Sequence, residues 1–102
     1  MDSYCKAALE RFETMLMKAD ALLLKRPKEG EADLRALEID FTNYVKSFFK
    51  DGERRIRDYK NSFASIAGLE GYAERVNSIR SHIRTYIEDI RLMADKQPKE
   101  KG

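Results

Sequence analysis

The chain has 102 residues, 37% of them charged and 42% hydrophobic, with two prolines, five glycines and no tryptophan. That length holds one domain able to bury a core of its own, and the composition is that of long helices with solvated charged faces. Twenty Lys and Arg against eighteen Asp and Glu leave +2, too near balance to identify nucleic acid or an anionic membrane as partner by itself. A lone cysteine, Cys5, excludes an internal disulfide, and with a single histidine it excludes an intrachain Cys/His zinc set. Neither a signal-type segment nor a membrane-length apolar run is visible, so a cytoplasmic protein without a membrane span is expected.

The first expected helix covers 3–26. Cys5, Ala8, Phe12, Met15, Ala19 and Leu22 alternate three and four apart, with Leu9, Leu16 and Leu23 widening the face, as the inside of a bundle requires. Pro27, with Lys28, Glu29 and Gly30, is expected to stop it.

The middle of the chain turns on SFFKDGERRIRDYK, residues 47–60. Leu34, Leu37, Phe41, Val45, Phe49, Gly52, Ile56, Tyr59, Phe63 and Ile66 keep a three-or-four spacing straight through the glycine. Asp51 with Arg55, Glu53 with Arg57 and Arg54 with Asp58 are opposite charges at i, i+4, each worth about 0.2–0.5 kcal/mol on a helix. A helical glycine costs about 1 kcal/mol relative to alanine, so local terms nearly cancel and the preserved phase predicts one helix over 31–66, bent near Gly52. The alternative is a break there and four helices.

In the last segment Leu69, Tyr72, Val76, Ile79, Ile83, Tyr86, Ile90 and Met93 form an unbroken seam, flanked by Ala73, Ile87 and Ala94, and predict a helix over 69–96. Gly68 and Gly71 before it read as an interhelical turn. Residues 97–102 lose the periodicity and are expected to be a disordered tail beyond a single 1–96 domain. The fold class is therefore all-α, an antiparallel three-helix bundle with a long central helix.

No catalytic, cofactor or metal constellation emerges, and the chain is expected not to be an enzyme. His82 is the one imidazole. Histidine-phosphotransfer domains are similar in size and helical content, but they follow the histidine with a lysine and a glycine, where this chain has Arg84, Thr85 and Tyr86. A boundary histidine is the expected role. Arg80, Arg84 and Arg91, with Glu88 among them, read as a paired solvent face rather than a dicarboxylate pocket.

A middle helix of that length outruns its neighbours, and Phe48 and Phe49 cover more of its circumference than one seam needs. The expected function is a non-catalytic interaction module, an adaptor, regulator or chaperone-like protein, that forms a homo-oligomer such as a dimer or binds a partner helix. Its contact residues are expected to be Phe41, Tyr44, Phe48 and Phe49, rimmed by Arg54, Arg55 and Arg57. The alternative is a nucleic-acid-associated protein using the basic cluster over 46–60, Lys46, Lys50, Arg54, Arg55, Arg57 and Lys60, diluted by Asp51, Glu53 and Asp58.

Overall fold

A computed structural model describes residues 3–62 and 71–96, and within these the chain is all-helical: α1 (Ser3–Leu22), α2 (Pro27–Phe48), α3 (Gly52–Asn61) and α4 (Tyr72–Lys96). The long central helix is thus corrected to two helices, and the three-helix bundle to four. The expected ends at Ile66 and Leu69 and the expected tail at 97–102 lie outside the described residues.

Cross-bundle contacts give the directions. Arg11 meets Asp40 and Lys25 meets Asp33, so α2 runs antiparallel to α1. Tyr59 meets Glu38, which turns α3 back along α2. Arg55 reaches Asp89 and Tyr59 packs on His82, so α4 is antiparallel to α3. Asp20 pairs with Arg80 and Phe12 packs on Tyr86, which closes the ring with α4 antiparallel to α1.

Helix α1 ends earlier than its apolar stripe suggests. The amides of Leu23, Leu24 and Lys25 bond three residues back, to Asp20, Ala21 and Leu22, so the last turn tightens and stops. Arg26 is extended ahead of the proline, and Pro27 opens α2 as its first residue. The stretch expected to be a breaker is therefore the first turn of the next helix. Gly30 in that turn lies directly beneath the Tyr72 ring, whose hydroxyl donates to the Leu22 carbonyl at 2.7 Å; a methyl group at position 30 would overlap that hydroxyl.

Between α2 and α3 the chain reverses. Phe49 is extended at φ −92°, ψ 138°, and Asp51 sits at φ −97°, ψ 29°, which ends one helix and caps the next. A Cβ on Gly52 would lie 2.5 Å from the Val45 carbonyl oxygen and 2.6 Å from the Lys46 Cα. Glycine is required here by the close approach of two backbones, not by helix bending.

The core holds Phe12, Phe41, Phe49, Tyr59 and Tyr86 at its centre, with Met15, Leu34, Val45, Val76, Ile79, Ile83 and Ile90 filling the layers around them. Phe41 stacks on Tyr86 at 5.8 Å, while Phe12 meets Phe41, Tyr44 and Tyr86 edge-on, the offset and T-shaped arrangements that aromatic quadrupoles favour. Burial pushes the Tyr86 hydroxyl up to about 12 and raises Tyr59 further, with Glu38 beside Tyr59 adding to the rise. Met93, expected on the α4 seam, and Ala73, expected to flank it, are exposed.

Replacing Gly52 by Ala is expected to lower unfolding free energy by about 1–3 kcal/mol, because the obstructing atoms are backbone rather than a mobile side chain. Urea denaturation followed by circular dichroism checks this. A stability equal to the parent chain would show that Gly52 is not required at the reversal.

Candidate functional site

The structure places the sequence-predicted contact residues inside the chain's own core or close to it. Phe41, Phe48 and Phe49 are buried, and Tyr44 is half-buried. The surplus aromatic circumference that argued for an external partner is covered internally. Tyr4 of α1 stacks on Phe48 at 4.8 Å, Phe12 packs near Phe49 at 6.3 Å, and Tyr86 of α4 meets Phe49 at 5.4 Å. With α3 folded back there is no overhanging central helix to cover.

Of the arginine rim, Arg55 is drawn inward, while Arg54 and Arg57 stay exposed. Arg55 bonds Asp51 at 2.8 Å and Asp89 at 2.7 Å, and its guanidinium lies 4.0 Å over the Phe49 ring and 5.1 Å from that of Tyr86. Tyr86 in turn donates to the Arg55 carbonyl. A planar, permanently charged fork serves this place because it satisfies two carboxylates in its plane while its face rests on aromatic rings. Arg54 also pairs with Asp51. Hydrogen bonds from Arg54 and then Arg55 hold the Asp51 carboxyl down to about 2. Arg57 is exposed and makes no ion pair among the described residues, as do Lys46, Lys50 and Lys60. Of the three expected i, i+4 pairs only Asp51 with Arg55 forms.

A second clamp was not legible from spacing. Arg75 of α4 bonds Glu31 at 2.9 Å and Glu38 at 2.6 Å, and Tyr59 of α3 donates to Glu38 at 2.8 Å. All three charged side chains are largely withdrawn from water. The network joins α2, α3 and α4 across separations of 37 and 44 residues, which no local pattern encodes.

His82 is half-buried between Tyr59 and Tyr86, with Nδ1 2.8 Å from the Ser78 carbonyl oxygen, so that this nitrogen carries the proton and donates. Ser81, Thr85, Arg54, Arg55 and Asp58 surround a shallow recess beside it. Arg80 pairs with Asp20 rather than facing a polar cavity, and Glu88 pairs with Arg91. Among the described residues no group of three or more His, Cys, Asp or Glu side chains is placed to hold a metal ion, and no buried side-chain polar atom lacks a hydrogen-bond partner. No described helix is long and apolar enough to cross a membrane.

The outer side of the α1/α2 pair is open. A groove of about 400 Å³ runs between them, with Leu22 and Leu37 at its base, Ala21 and Ala36 on its shoulders, and Lys18, Lys25, Asp33 and Asp40 along its rims. Met17 on α1, Leu24 in the turn after it and Ile39 on α2 stand 72%, 91% and 63% exposed. Met17 and Ala21 on α1 are four apart, and Ala32, Ala36 and Ile39 on α2 are spaced four and three, so each helix carries a second, weaker apolar stripe on the side away from its core stripe. That second spacing is the sequence signal for this face, and the stronger core stripe masks it.

Because the Asp51 carboxyl is depressed in the folded chain, its contribution to stability is complete above its ordinary value near 3.8 and is lost as pH falls toward 2. Acid unfolding of Asp51→Asn is expected to show a shallower loss of stability between about pH 4 and 2 than the parent chain, and overlapping profiles would contradict the clamp. No protein-family model, no curated protein and no solved structure matches the chain.

Proposed function

We propose that the chain is a non-catalytic helical protein-interaction module, of the adaptor, regulator or chaperone-like kind, and that its contact face is the outer side of the α1/α2 pair rather than the aromatic centre of the chain. The observation that carries this reading is the exposure of Met17 and Ile39 on second apolar stripes of α1 and α2, with Leu24 exposed in the turn after α1, around a groove with a leucine floor. Single exposed apolar residues are ordinary on protein surfaces. Several aligned on two adjacent helices, on either side of a groove, form the type of surface that a partner helix covers.

The charge distribution supports the same choice over nucleic acid. Arg54 and Arg55, the centre of the basic cluster, are engaged by Asp51 and Asp89, and releasing them for phosphate would leave those carboxylates without their counterions. Tyr59, Phe48 and Phe49, the aromatic rings within the 46–60 stretch, are buried and so withdrawn from base stacking.

Replacing Ile39 with a photo-crosslinking amino acid, in the full chain within its native cells, tests this reading. A polypeptide adduct that forms from position 39 but not from the exposed position 57 on α3 is the expected result. A nucleic-acid adduct at position 39, or no polypeptide adduct there, overturns it.

A further inference from the structure

Helix α3 is held to the bundle differently from its neighbours. Of the apolar side chains that fill the core, α1 and α4 each supply seven, whereas α3 supplies Ile56 and Tyr59 alone. Glu53, Arg54, Arg57, Asp58, Lys60 and Asn61 stand in solvent. The remaining attachments of α3 to the other helices are polar. Arg55 bonds Asp89 of α4 at 2.7 Å, Tyr59 donates to Glu38 of α2 at 2.8 Å, Tyr86 of α4 donates to the Arg55 carbonyl at 3.1 Å, and Ser62 meets Ser78 of α4.

Water can replace these polar contacts. The side chains of Arg55, Asp89 and Glu38 are 19%, 34% and 17% exposed, so separating them returns partly hydrated charges to full hydration and the net loss per contact is small. The apolar loss is confined to Ile56, Tyr59 and the ring faces they cover. Released from its neighbours a ten-residue helix unravels, and the entropy its residues recover offsets part of that loss. Detaching α3 therefore costs far less than unfolding the chain.

The connection to α2 permits such a movement. Residues 49–51 lie outside both helices, with Phe49 extended, and can absorb a change of direction without breaking a helical turn. Among the described residues α1 makes no close backbone approach to α3, while α1, α2 and α4 all pack on one another. Removing α3 thus leaves a three-helix body with its own core contacts in place. It also uncovers three rings between α2 and α4. Phe49 lies 4.0 Å and Tyr86 5.1 Å from the Arg55 guanidinium, and Phe41 lies 5.1 Å from the Tyr59 ring.

We propose, independently of the interaction-module reading above, that α3 is a detachable strap: it opens and closes as one unit on a standing α1/α2/α4 body, and each opening exposes the aromatic floor of Phe41, Phe49 and Tyr86.

Native-state hydrogen exchange on the full chain, followed by NMR through a series of sub-denaturing urea concentrations, tests the proposal. The amides of residues 55–62 are expected to share one opening constant and one shallow urea dependence. Without urea that constant is expected to be at least ~100-fold larger than for the slowest amides of α1 and α4. Met15→Ala, in the helix that does not approach α3, separates local from global opening. It is expected to speed the slowest α1 and α4 amides at least ~10-fold and to leave residues 55–62 within about twofold of the parent chain. Thiol labelling gives an independent reading. Ile56→Cys with Cys5 retained places one buried thiol beneath α3 and one in α1 of the same molecule, and position 56 is expected to react at least ~10-fold faster with a small disulfide reagent.

Exchange of residues 55–62 in step with α1 and α4, or at individual rates with no common urea dependence, overturns the proposal. So does an equal acceleration of α1 and α3 by Met15→Ala, or equal labelling at positions 56 and 5. If either variant fails to fold, the urea series on the parent chain decides alone.

Discussion

The backbone of Gly52 lies against the Val45 carbonyl and the Lys46 Cα, and this contact directs the rest of the bundle. It lets the chain reverse within three residues, so that α3 returns along α2 instead of extending past it. Arg55 is thereby brought to the Phe49–Tyr86 pair and Tyr59 to Phe41 and Glu38. The reversal is then held by charge. Asp51 lies at the N-terminus of α3, where a carboxylate is favoured by the free amides of the first turn, and it binds Arg55 at the same time. One acidic residue thus stands at the start of a short helix and neutralises the cation that fastens that helix to α4.

A ten-residue helix is not stable in isolation. Helix α3 persists because each turn is fixed to a neighbour: Arg55 to Asp89, Ile56 and Tyr59 in the core, and Ser62 against Ser78. The two polar clamps lie toward opposite ends of this short helix. Their charged members keep some water contact while their aromatic and aliphatic neighbours exclude it on one side, which makes them orienting contacts more than large sources of stability.

Much of the fold was legible in the sequence where one helix carries one apolar face. The stripe from Cys5 to Leu22 and that from Tyr72 to Ile90 are buried as their spacing indicates. The middle was misread for a physical reason. Apolar spacing reports which residues face a core, not which way the chain travels, and a tight hairpin of two helices that face the same core can keep the count of three and four unbroken across the turn. The local energies at Gly52 nearly cancel, so the outcome lay with a backbone contact that spacing does not encode. Phe48 and Phe49 show the same ambiguity. Both are buried, as two adjacent large apolar residues at a helix end should be, but they are covered by Tyr4, Phe12 and Tyr86 of the same chain. Arg54 and Arg55 read as a rim because sequence shows charge without showing Asp89 thirty-four residues away.

The antiparallel pairing of α1 with α4 has a topological consequence. Asp20 meets Arg80 near one end of the pair, and Phe12 meets Tyr86 farther along. The beginning of α1 and the end of α4 therefore lie at the same end of the bundle. A unit whose entry and exit points are neighbours can be joined by a short linker and reopened at the tight turn between Leu22 and Pro27, as a circular permutant, without altering a core contact. The same geometry suits the bundle to carriage as an insert within a loop of a host domain, where a four-helix body needs no more than a narrow gap between the two points at which the host chain leaves and resumes.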